Sequence, residues 1–177
     1  MGILNTIIKE TMNRYYRLKD PVAFYRQQGV KIGDNCEIRS AKFGSEPYLI
    51  TIGDHVRINA GVEFVTHDGG VWVLRRCSKV ENHENITIFG PISIGDNCHI
   101  GTNAILMPNV KIGNNCIIDC GAVVTRDIPD NSIAVGVPAR VIETIDEYEK
   151  KHMNDYCFTK NMTPEQLREY LTEKFSL

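Results

Sequence analysis

Residues 91–129 read PISIGDNCHIGTNAILMPNVKIGNNCIIDCGAVVTRDIP. An aliphatic side chain recurs at every sixth position of this stretch, and a small or medium residue follows each of them four positions later. The first set is Ile94, Ile100, Leu106, Ile112, Ile118 and Val124, and the second is Cys98, Ala104, Val110, Cys116, Ala122 and Ile128. A period of six matches neither the helical turn of about 3.6 residues nor a long alternating strand. The period therefore predicts very short strands joined by glycine- and asparagine-containing turns, repeated as a solenoid.

The same phase continues upstream of this stretch, and two interruptions of it are informative. Aliphatic or aromatic residues hold the repeat position at Ile32, Ile38, Ile52, Ile58 and Phe64. If three units make one triangular turn, equivalent residues stack 18 positions apart. The step from Ile32 to Ile52 is 20, so two extra residues are placed at Gly44-Ser45-Glu46-Pro47. The step from Ile52 to Ile94 is 42, so a long loop of about residues 67–91 leaves the repeat, and such loops are more often functional than accidental.

Composition indicates a soluble, cytoplasmic protein with one main domain. The chain has 177 residues, 42% of them hydrophobic, and a net charge of −2, which gives no electrostatic case for binding nucleic acid. We find no secretory signal peptide in the sequence. Cys36, Cys98 and Cys116 share one repeat position, and this favours stacked interior thiols over disulfides or a metal site.

The sequence outside the repeat predicts two helical appendages. Residues 1–28 are expected to form a helical cap over the open end of the repeat domain at 29–142, because Leu4, Ile7, Ile8, Met12 and Tyr15 recur at helical spacing. Interleaved basic residues leave open a peripheral contact with a membrane surface instead. Residues 143–177 are the second appendage, in which Thr163-Pro164-Glu165-Gln166 predicts a capped helix start.

The repeat, a histidine at the mouth of the loop, and the ending Val124-Thr125-Arg126-Asp127-Ile128-Pro129 followed by Gly136-Val137-Pro138-Ala139-Arg140 resemble the left-handed β-helix acyltransferases. Within that superfamily, residues 30–142 are most similar to the galactoside, maltose and capsular-polysaccharide O-acetyltransferases, with the antibiotic-modifying branch close by. The resemblance implies an all-β, left-handed parallel β-helix with an extruded loop and short terminal helices. It also implies a homotrimer that uses acetyl-CoA as the acyl donor and needs no metal.

Acetyl transfer to a hydroxyl needs a base, and five histidines are available. They are His55, His67, His83, His99 and His152. His67 alone stands where the repeat gives way to the loop, and it matches the family's catalytic histidine by position. A neutral imidazole suits proton removal near neutral pH. Asp68 is its neighbour in sequence, but adjacent side chains on an extended backbone point apart, so Asp68 is not automatically its partner. The resemblance implies that the second ring nitrogen bonds a backbone carbonyl or a nearby polar side chain, and Asn59 and Glu63 are the candidate side chains.

The resemblance also assigns the donor and acceptor residues. The positions that match backbone and small-residue contacts to coenzyme A are Thr102, Cys120, Gly121 and Thr125, and the basic positions that match the phosphate contacts are Arg126 and Arg140. For the acceptor, the candidates are Asn59, Asp68 and Trp72. Trp72 either stacks on a sugar ring or packs against the solenoid. A sugar or polysaccharide-precursor hydroxyl is the expected acceptor, with streptogramin-type antibiotics and amino-sugar amines as alternatives.

Three other interpretations of the sequence stay open. Cys77 or Cys120 is a candidate nucleophile for an acyl-enzyme route, although such a cysteine also needs a base and an oxyanion site. The spacing of 16 between His67, His83 and His99 permits a zinc enzyme of the γ-carbonic anhydrase type. A scaffold solenoid without catalysis is the remaining alternative, in which His67 is dispensable.

Overall fold

The computed structural model describes residues 11–13 and 15–176. Within them the repeat forms thirteen short strands. They are β1 Lys31–Ile32, β2 Glu37–Ile38, β3 Ile50–Ile52, β4 Arg57–Ile58, β5 Glu63–Phe64, β6 Ile92–Ile94, β7 His99–Ile100, β8 Ile105–Leu106, β9 Val110–Ile112, β10 Ile117–Ile118, β11 Val123–Val124, β12 Ser132–Val135 and β13 Arg140–Thr144. The helices are α1 Pro21–Gln27, α2 Val71–Cys77, α3 Ile145–His152 and α4 Pro164–Phe175, and residues 11–13 and 15–19 are also helical.

The strands assemble into three sheets that the chain visits in cyclic order. Sheet A has the order β1-β3-β6-β9, sheet B the order β13-β12-β10-β7-β4-β2, and sheet C the order β11-β8-β5. All pairings are parallel except that of β12 with β13. The chain therefore turns three corners per turn of the coil, which we call corners AB, BC and CA.

The register of the sheets confirms the spacing predicted from the sequence. Ile32 stacks on Ile52 and Ile52 on Ile94, across steps of 20 and 42, and Ile94 then stacks on Ile112. The extra residues of the first turn lie at corner CA, where a short 3₁₀ helix spans Pro47–Leu49. The long loop leaves at the same corner one turn later. Corner CA is thus the one place where two successive turns depart from the repeat.

The interior is filled by the two residue sets that the repeat defines. Their members are all buried: Ile94, Ile100, Leu106, Ile112, Ile118, Val124, Cys98, Ala104, Val110, Cys116, Ala122 and Ile128. Burying one large aliphatic side chain contributes about 1.5–3 kcal/mol, so the stacked column is the main source of stability. The thiols of Cys98 and Cys116 donate to the carbonyl oxygens of Gly113 and Pro129, each at 3.1 Å. The cysteines are free, and the predicted interior position is confirmed for Cys98 and Cys116, while Cys36 is half-buried.

Corner AB is held by polar ladders that explain the Gly-Asp-Asn and Gly-Asn-Asn sequences. The Asp96 backbone N–H donates to the Asn114 side chain of the next turn at 2.8 Å, and the Asn114 N–H donates to Asp130 at 2.7 Å. The following asparagines, Asn97 and Asn115, adopt the left-handed conformation, with φ of 54° in both. Asparagine tolerates this conformation better than most residues. The Asn97 amide also donates to Asn115 at 2.9 Å, so one turn fixes the next.

The terminal regions are helical, so the all-β description holds for the repeat and not for the whole chain. Asp20 caps α1 by accepting from the Ala23 N–H, and Tyr25 of α1 packs on Phe43 with ring centroids 4.1 Å apart. The contacts divide the chain into a unit ending at Ile145 and a second unit, Asp146–Leu177. In the second unit, the predicted capping box at Thr163 and Gln166 is confirmed. The division at 28 and 142 stays a prediction, and the apolar positions predicted at Leu4, Ile7 and Ile8 lie outside the described residues.

Candidate active site

His67 stands at corner CA, directly after the buried strand β5. The preceding Thr66 is fully buried, and the chain then leaves the coil, so the His67 side chain is 45% exposed. Residues at the end of the loop return antiparallel beside it. His67 forms a bridge with Phe89, and the Gly90 N–H donates to the Thr66 carbonyl at 2.9 Å. These contacts fix the backbone on both sides of the imidazole.

Glu46 is the side chain that contacts the His67 ring. Its Oε2 atom lies 3.1 Å from His67 Nδ1 and also accepts a hydrogen bond of 2.6 Å from the Thr66 hydroxyl. Only 15% of the Glu46 side chain is exposed. The hydrogen bond from Thr66 lowers the pKa of Glu46, and the contact with His67 lowers it further. Glu46 is therefore a carboxylate near neutral pH, and Nε2 is the nitrogen of the His67 ring that does not contact it.

The orienting residues suggested by the sequence are not those seen in the structure. Asn59 Nδ2 lies 3.4 Å from His99 Nε2, Glu63 pairs with Lys42 at 3.3 Å, and Asp68 accepts from the Gly70 N–H at 2.7 Å. Glu46 was not predicted from the sequence, because it is 21 positions from His67 and belongs to no repeat unit. The sequence feature that could have indicated Glu46 is the two-residue insertion at 44–47, which lengthens the turn stacked directly on His67 at corner CA.

A shallow cleft on the outer side of sheet B brings two of the predicted site residues together. It is lined by Arg39, Arg57, Asn59, Ala60, His99 and Thr102. Burial lowers the pKa of His99, and the Arg57 guanidinium lowers it further, so its ring is neutral near pH 7. Asn59 and Thr102 were predicted as acceptor and donor contacts respectively. His99, which was suggested from the sequence only as part of the zinc alternative, lines the same cleft.

The predicted donor residues divide between two corners of the coil. At corner BC, Thr102 of one turn stacks on Cys120 and Gly121 of the next, and the Gly121 N–H donates to the Thr102 carbonyl at 2.8 Å. At corner CA, Thr125 and Arg126 follow β11, on the same corner as His67 but two turns along. All five residues except the half-buried Thr102 are exposed. Sheet C alone separates the two corners.

The remaining predicted residues are also at the surface. Arg140 is exposed and its guanidinium donates to the Ala139 carbonyl at 2.9 Å, while the Ala139 N–H donates to Val123 of sheet C at 2.8 Å. Arg140 thus lies at the end of the coil beside sheet C. Trp72, the second residue of α2, is 76% exposed and does not pack into the coil.

The structure gives the histidines and cysteines of the other interpretations separate surroundings. His67 contacts Glu46, His83 Nδ1 contacts the Val80 carbonyl at 3.0 Å, and His99 contacts Asn59. Across residues 11–13 and 15–176, no group of three His, Cys, Asp or Glu side chains is arranged to hold a metal ion. Cys77 and Cys120 are both exposed.

Comparison with known proteins assigns the family. Residues 91–126 match the bacterial transferase hexapeptide family with its six repeats. Over 153 residues, the chain is 46% identical to protein CapG of Staphylococcus aureus, an alignment that covers 85% of this chain and 86% of CapG. Over 156 residues it is 34% identical to galactoside O-acetyltransferase of Escherichia coli K12, covering 85% of this chain and 73% of that protein.

Solved structures agree with the sequence relatives. The hexapeptide-repeat acetyltransferase VCA0836 of Vibrio cholerae O1 biovar eltor, solved in complex with acetyl coenzyme A, aligns with a TM-score of 0.55 and 29% identity over 66% of this chain and 61% of that one. The chain belongs to the hexapeptide-repeat acetyltransferases, as its sequence predicted. None of the helices described here has both the length and the apolar character that crossing a bilayer requires.

Proposed function

We propose that this protein transfers an acetyl group from acetyl-CoA to a hydroxyl of a sugar or polysaccharide precursor, with His67 as the general base. One observation carries the assignment of the base. His67 presents an exposed imidazole whose Nδ1 faces the Glu46 carboxylate, so Nε2 is the ring nitrogen outside that contact. The names of two relatives support the reaction class, since one is a galactoside O-acetyltransferase and the other an acetyltransferase complexed with acetyl-CoA.

The reaction needs one proton acceptor that later returns the proton. His67 Nε2 takes the proton of the acceptor hydroxyl while the hydroxyl oxygen attacks the thioester carbonyl carbon. The tetrahedral intermediate collapses, its C–S bond breaks, and the coenzyme A thiolate leaves with the proton from the imidazolium. This is direct transfer in a ternary complex, and it requires no acyl-enzyme on Cys77 or Cys120.

The donor and acceptor are proposed to bind along sheet C and its two corners. Thr102, Cys120 and Gly121 lie at one border of sheet C and Thr125 lies at the other, so a pantetheine arm bound between two copies contacts the first group on one chain and Thr125 on its neighbour. Arg126 and Arg140 supply guanidinium groups for the phosphates of the nucleotide. Asn59, Asp68 and Trp72 are the proposed acceptor contacts. Trp72 has an open indole face for stacking on a sugar ring.

We also infer that the coil is left-handed and that the protein is a homotrimer. The cyclic order of three parallel sheets built from six-residue units supports the left-handed parallel β-helix, and the position of the candidate residues supports the assembly. Asn59 and Thr102 are at corner BC, whereas His67 and Arg126 are at corner CA. A neighbouring copy that lays its corner BC against corner CA brings the two sets together, and three such contacts close a ring.

The test of the function is His67→Ala, assayed by release of free coenzyme A from acetyl-CoA with a panel of sugars. Loss of a positioned general base is expected to lower kcat by about 10²–10⁴-fold and to leave acetyl-CoA binding intact. Cys77→Ala and Cys120→Ala are the matched controls for the acyl-enzyme route, and both are expected to keep most of the activity. A His67→Ala enzyme with nearly normal kcat contradicts the proposal. An amine acceptor used in preference to every hydroxyl contradicts the O-acetyl assignment.

A further inference from the structure

The widened turn at corner CA has no role in closing the coil, because corner CA in the third turn needs only the short segment Met107-Pro108-Asn109 between β8 and β9. In the first turn, the corresponding segment between Phe43 and Ile50 is longer and contains the 3₁₀ helix Pro47–Leu49. Glu46 lies in this longer segment and contacts the next turn of the coil. Its side chain is mostly buried against Thr66 and His67.

The hydrogen bonds around Glu46 determine which nitrogen of the His67 ring carries the proton. The Thr66 side chain is fully buried, and its hydroxyl donates to Glu46 Oε2 at 2.6 Å. An oxygen that accepts this bond, in a group whose pKa is lowered, remains an acceptor near neutral pH. The second contact on the same oxygen, His67 Nδ1 at 3.1 Å, is therefore an N–H donor. A neutral imidazole protonated on Nδ1 has its lone pair on Nε2.

We propose that Glu46 is the positioning residue of the active site, holding His67 in the Nδ1–H tautomer and stabilising the imidazolium formed during transfer; this rests on the proposed role of His67 as base. Thr66 acts one step further out by holding the carboxylate. The other groups around His67 do not compete for this role. Phe89, on the returning strand, is apolar, with its ring centroid 6.3 Å from that of His67, and Asp68 is engaged by the Gly70 N–H.

The comparison of Glu46→Gln, Glu46→Ala and the matched control Glu84→Gln tests the proposal. Gln keeps the shape and an acceptor oxygen but removes the charge, whereas Ala removes both. Glu84 is a suitable control because it is a loop carboxylate whose Oε2 lies 3.9 Å from another histidine, His83. Without the carboxylate, kcat is expected to fall by about 10–100-fold while KM for acetyl-CoA stays within about twofold, since an orienting contact acts mainly on the reacting centre.

The pH profile separates an electrostatic role from a purely structural one. In Glu46→Gln the imidazolium loses its neighbouring negative charge, so the acid-side inflection of kcat/KM is expected to move to lower pH. Glu84→Gln is expected to show the wild-type profile. Thr66→Val is expected to lower kcat in the same direction as Glu46→Gln, and Thr66→Ser, which retains the hydroxyl, is expected to lower it less.

A spectroscopic measurement keeps the test independent of catalysis and of the stability of any one variant. In ¹⁵N-histidine-labelled wild-type protein above the titration range, the His67 signals, assigned from their loss in His67→Gln, are expected to report the Nδ1–H tautomer. In Glu46→Ala they are expected to shift towards the Nε2–H tautomer. A wild-type His67 in the Nε2–H form overturns the inference, and so does a Glu46→Gln enzyme with normal kcat and pH profile when His67→Ala is inactive. If His67→Ala itself is active, the proposed function fails instead.

Discussion

At the scale of single residues, the surface of the coil is divided between side chains that hold turns together and side chains that are free to bind. The asparagines of corner AB belong to the first group, since their amides bond to the next turn and their left-handed backbone fits the corner. Arg126 is proposed to belong to the second, and so is Arg140, although its guanidinium donates one hydrogen bond to the Ala139 carbonyl. Both are exposed at the C-terminal end of the coil, on the side where sheet C and its corners carry the other proposed donor residues.

We predict that Arg126→Ala and Arg140→Ala each raise KM for acetyl-CoA with a smaller change in kcat. The nucleotide phosphates are remote from the reacting carbonyl, so removing a cation there weakens ground-state and transition-state binding alike. The measurement is initial rates over a range of acetyl-CoA concentrations, with Arg76→Ala as an exposed arginine outside the proposed donor site. If both variants keep the wild-type KM, the placement of the phosphates is wrong.

His67 and Glu46 differ in how far they were predictable, and the reason is physical. His67 was predicted as the base because it stands where the strict period breaks and because it matches the family's catalytic histidine by position. Glu46 contacts it only because two turns stack at one corner, and side-chain contacts across turns depend on the path of an irregular segment. Counting residues located the insertion at 44–47, but it could not show towards which neighbour the inserted side chains point. The same holds for His99, whose meeting with Asn59 follows from the stacking of β4 on β7.

At the scale of elements, the six-residue unit was highly predictable because one rule fixes strand, turn and interior at once. The interior position must be apolar, the corner after it must allow a tight turn, and both repeat every six residues. The sequence predicted the capping box of α4 for a similarly local reason. Helix α2 within the loop was not predicted, because its seven residues are too few to establish a period, and only Val71 among them is buried.

The close stacking of turns predicts a sharp difference between two glycines. A Cβ at Gly113 would meet the side chain of Asp130 and lie 2.6 Å from its backbone nitrogen, whereas a Cβ at Gly69 meets nothing within 4 Å. Backbone atoms of the next turn cannot move aside cheaply. Gly113→Ala is therefore expected to destabilise the protein by about 1–3 kcal/mol, and Gly69→Ala by less than about 0.5 kcal/mol.

Denaturant unfolding of both variants, followed by circular dichroism, measures these changes. The slope of the transition should stay the same while its midpoint falls for Gly113→Ala alone. Equal midpoints for the two variants would mean that corner AB is looser than the stacking indicates.

At the scale of the whole molecule, the candidate residues lie at two different corners of the coil, and one chain alone does not bring these corners together. His67 and Glu46 lie at corner CA, and Asn59 and Thr102 lie at corner BC, with sheet C between them. Exposed apolar side chains of the loop, Val73 and Leu74, add surface that a neighbouring copy can cover. In a trimer with three equivalent contacts, corner BC of each chain packs against corner CA of its neighbour, so every corner of these two kinds has a partner.

We therefore predict that two inactive variants restore activity to each other when they share a trimer. His67→Ala keeps corner BC and Asn59→Ala keeps corner CA, so a site formed between one chain of each kind contains both intact residues. After equimolar mixing in denaturant and refolding, random assembly gives about a quarter of the sites in this form. The activity of the mixture is expected to approach that fraction of the wild-type value, while each variant refolded alone stays inactive. Analytical ultracentrifugation is expected to show that both variants form trimers. Their separate inactivity then results from the missing site residue and not from failed assembly. If the mixture gains nothing although mixed trimers are detected by tagging one variant, each chain holds a complete site, and the interface proposed here is wrong.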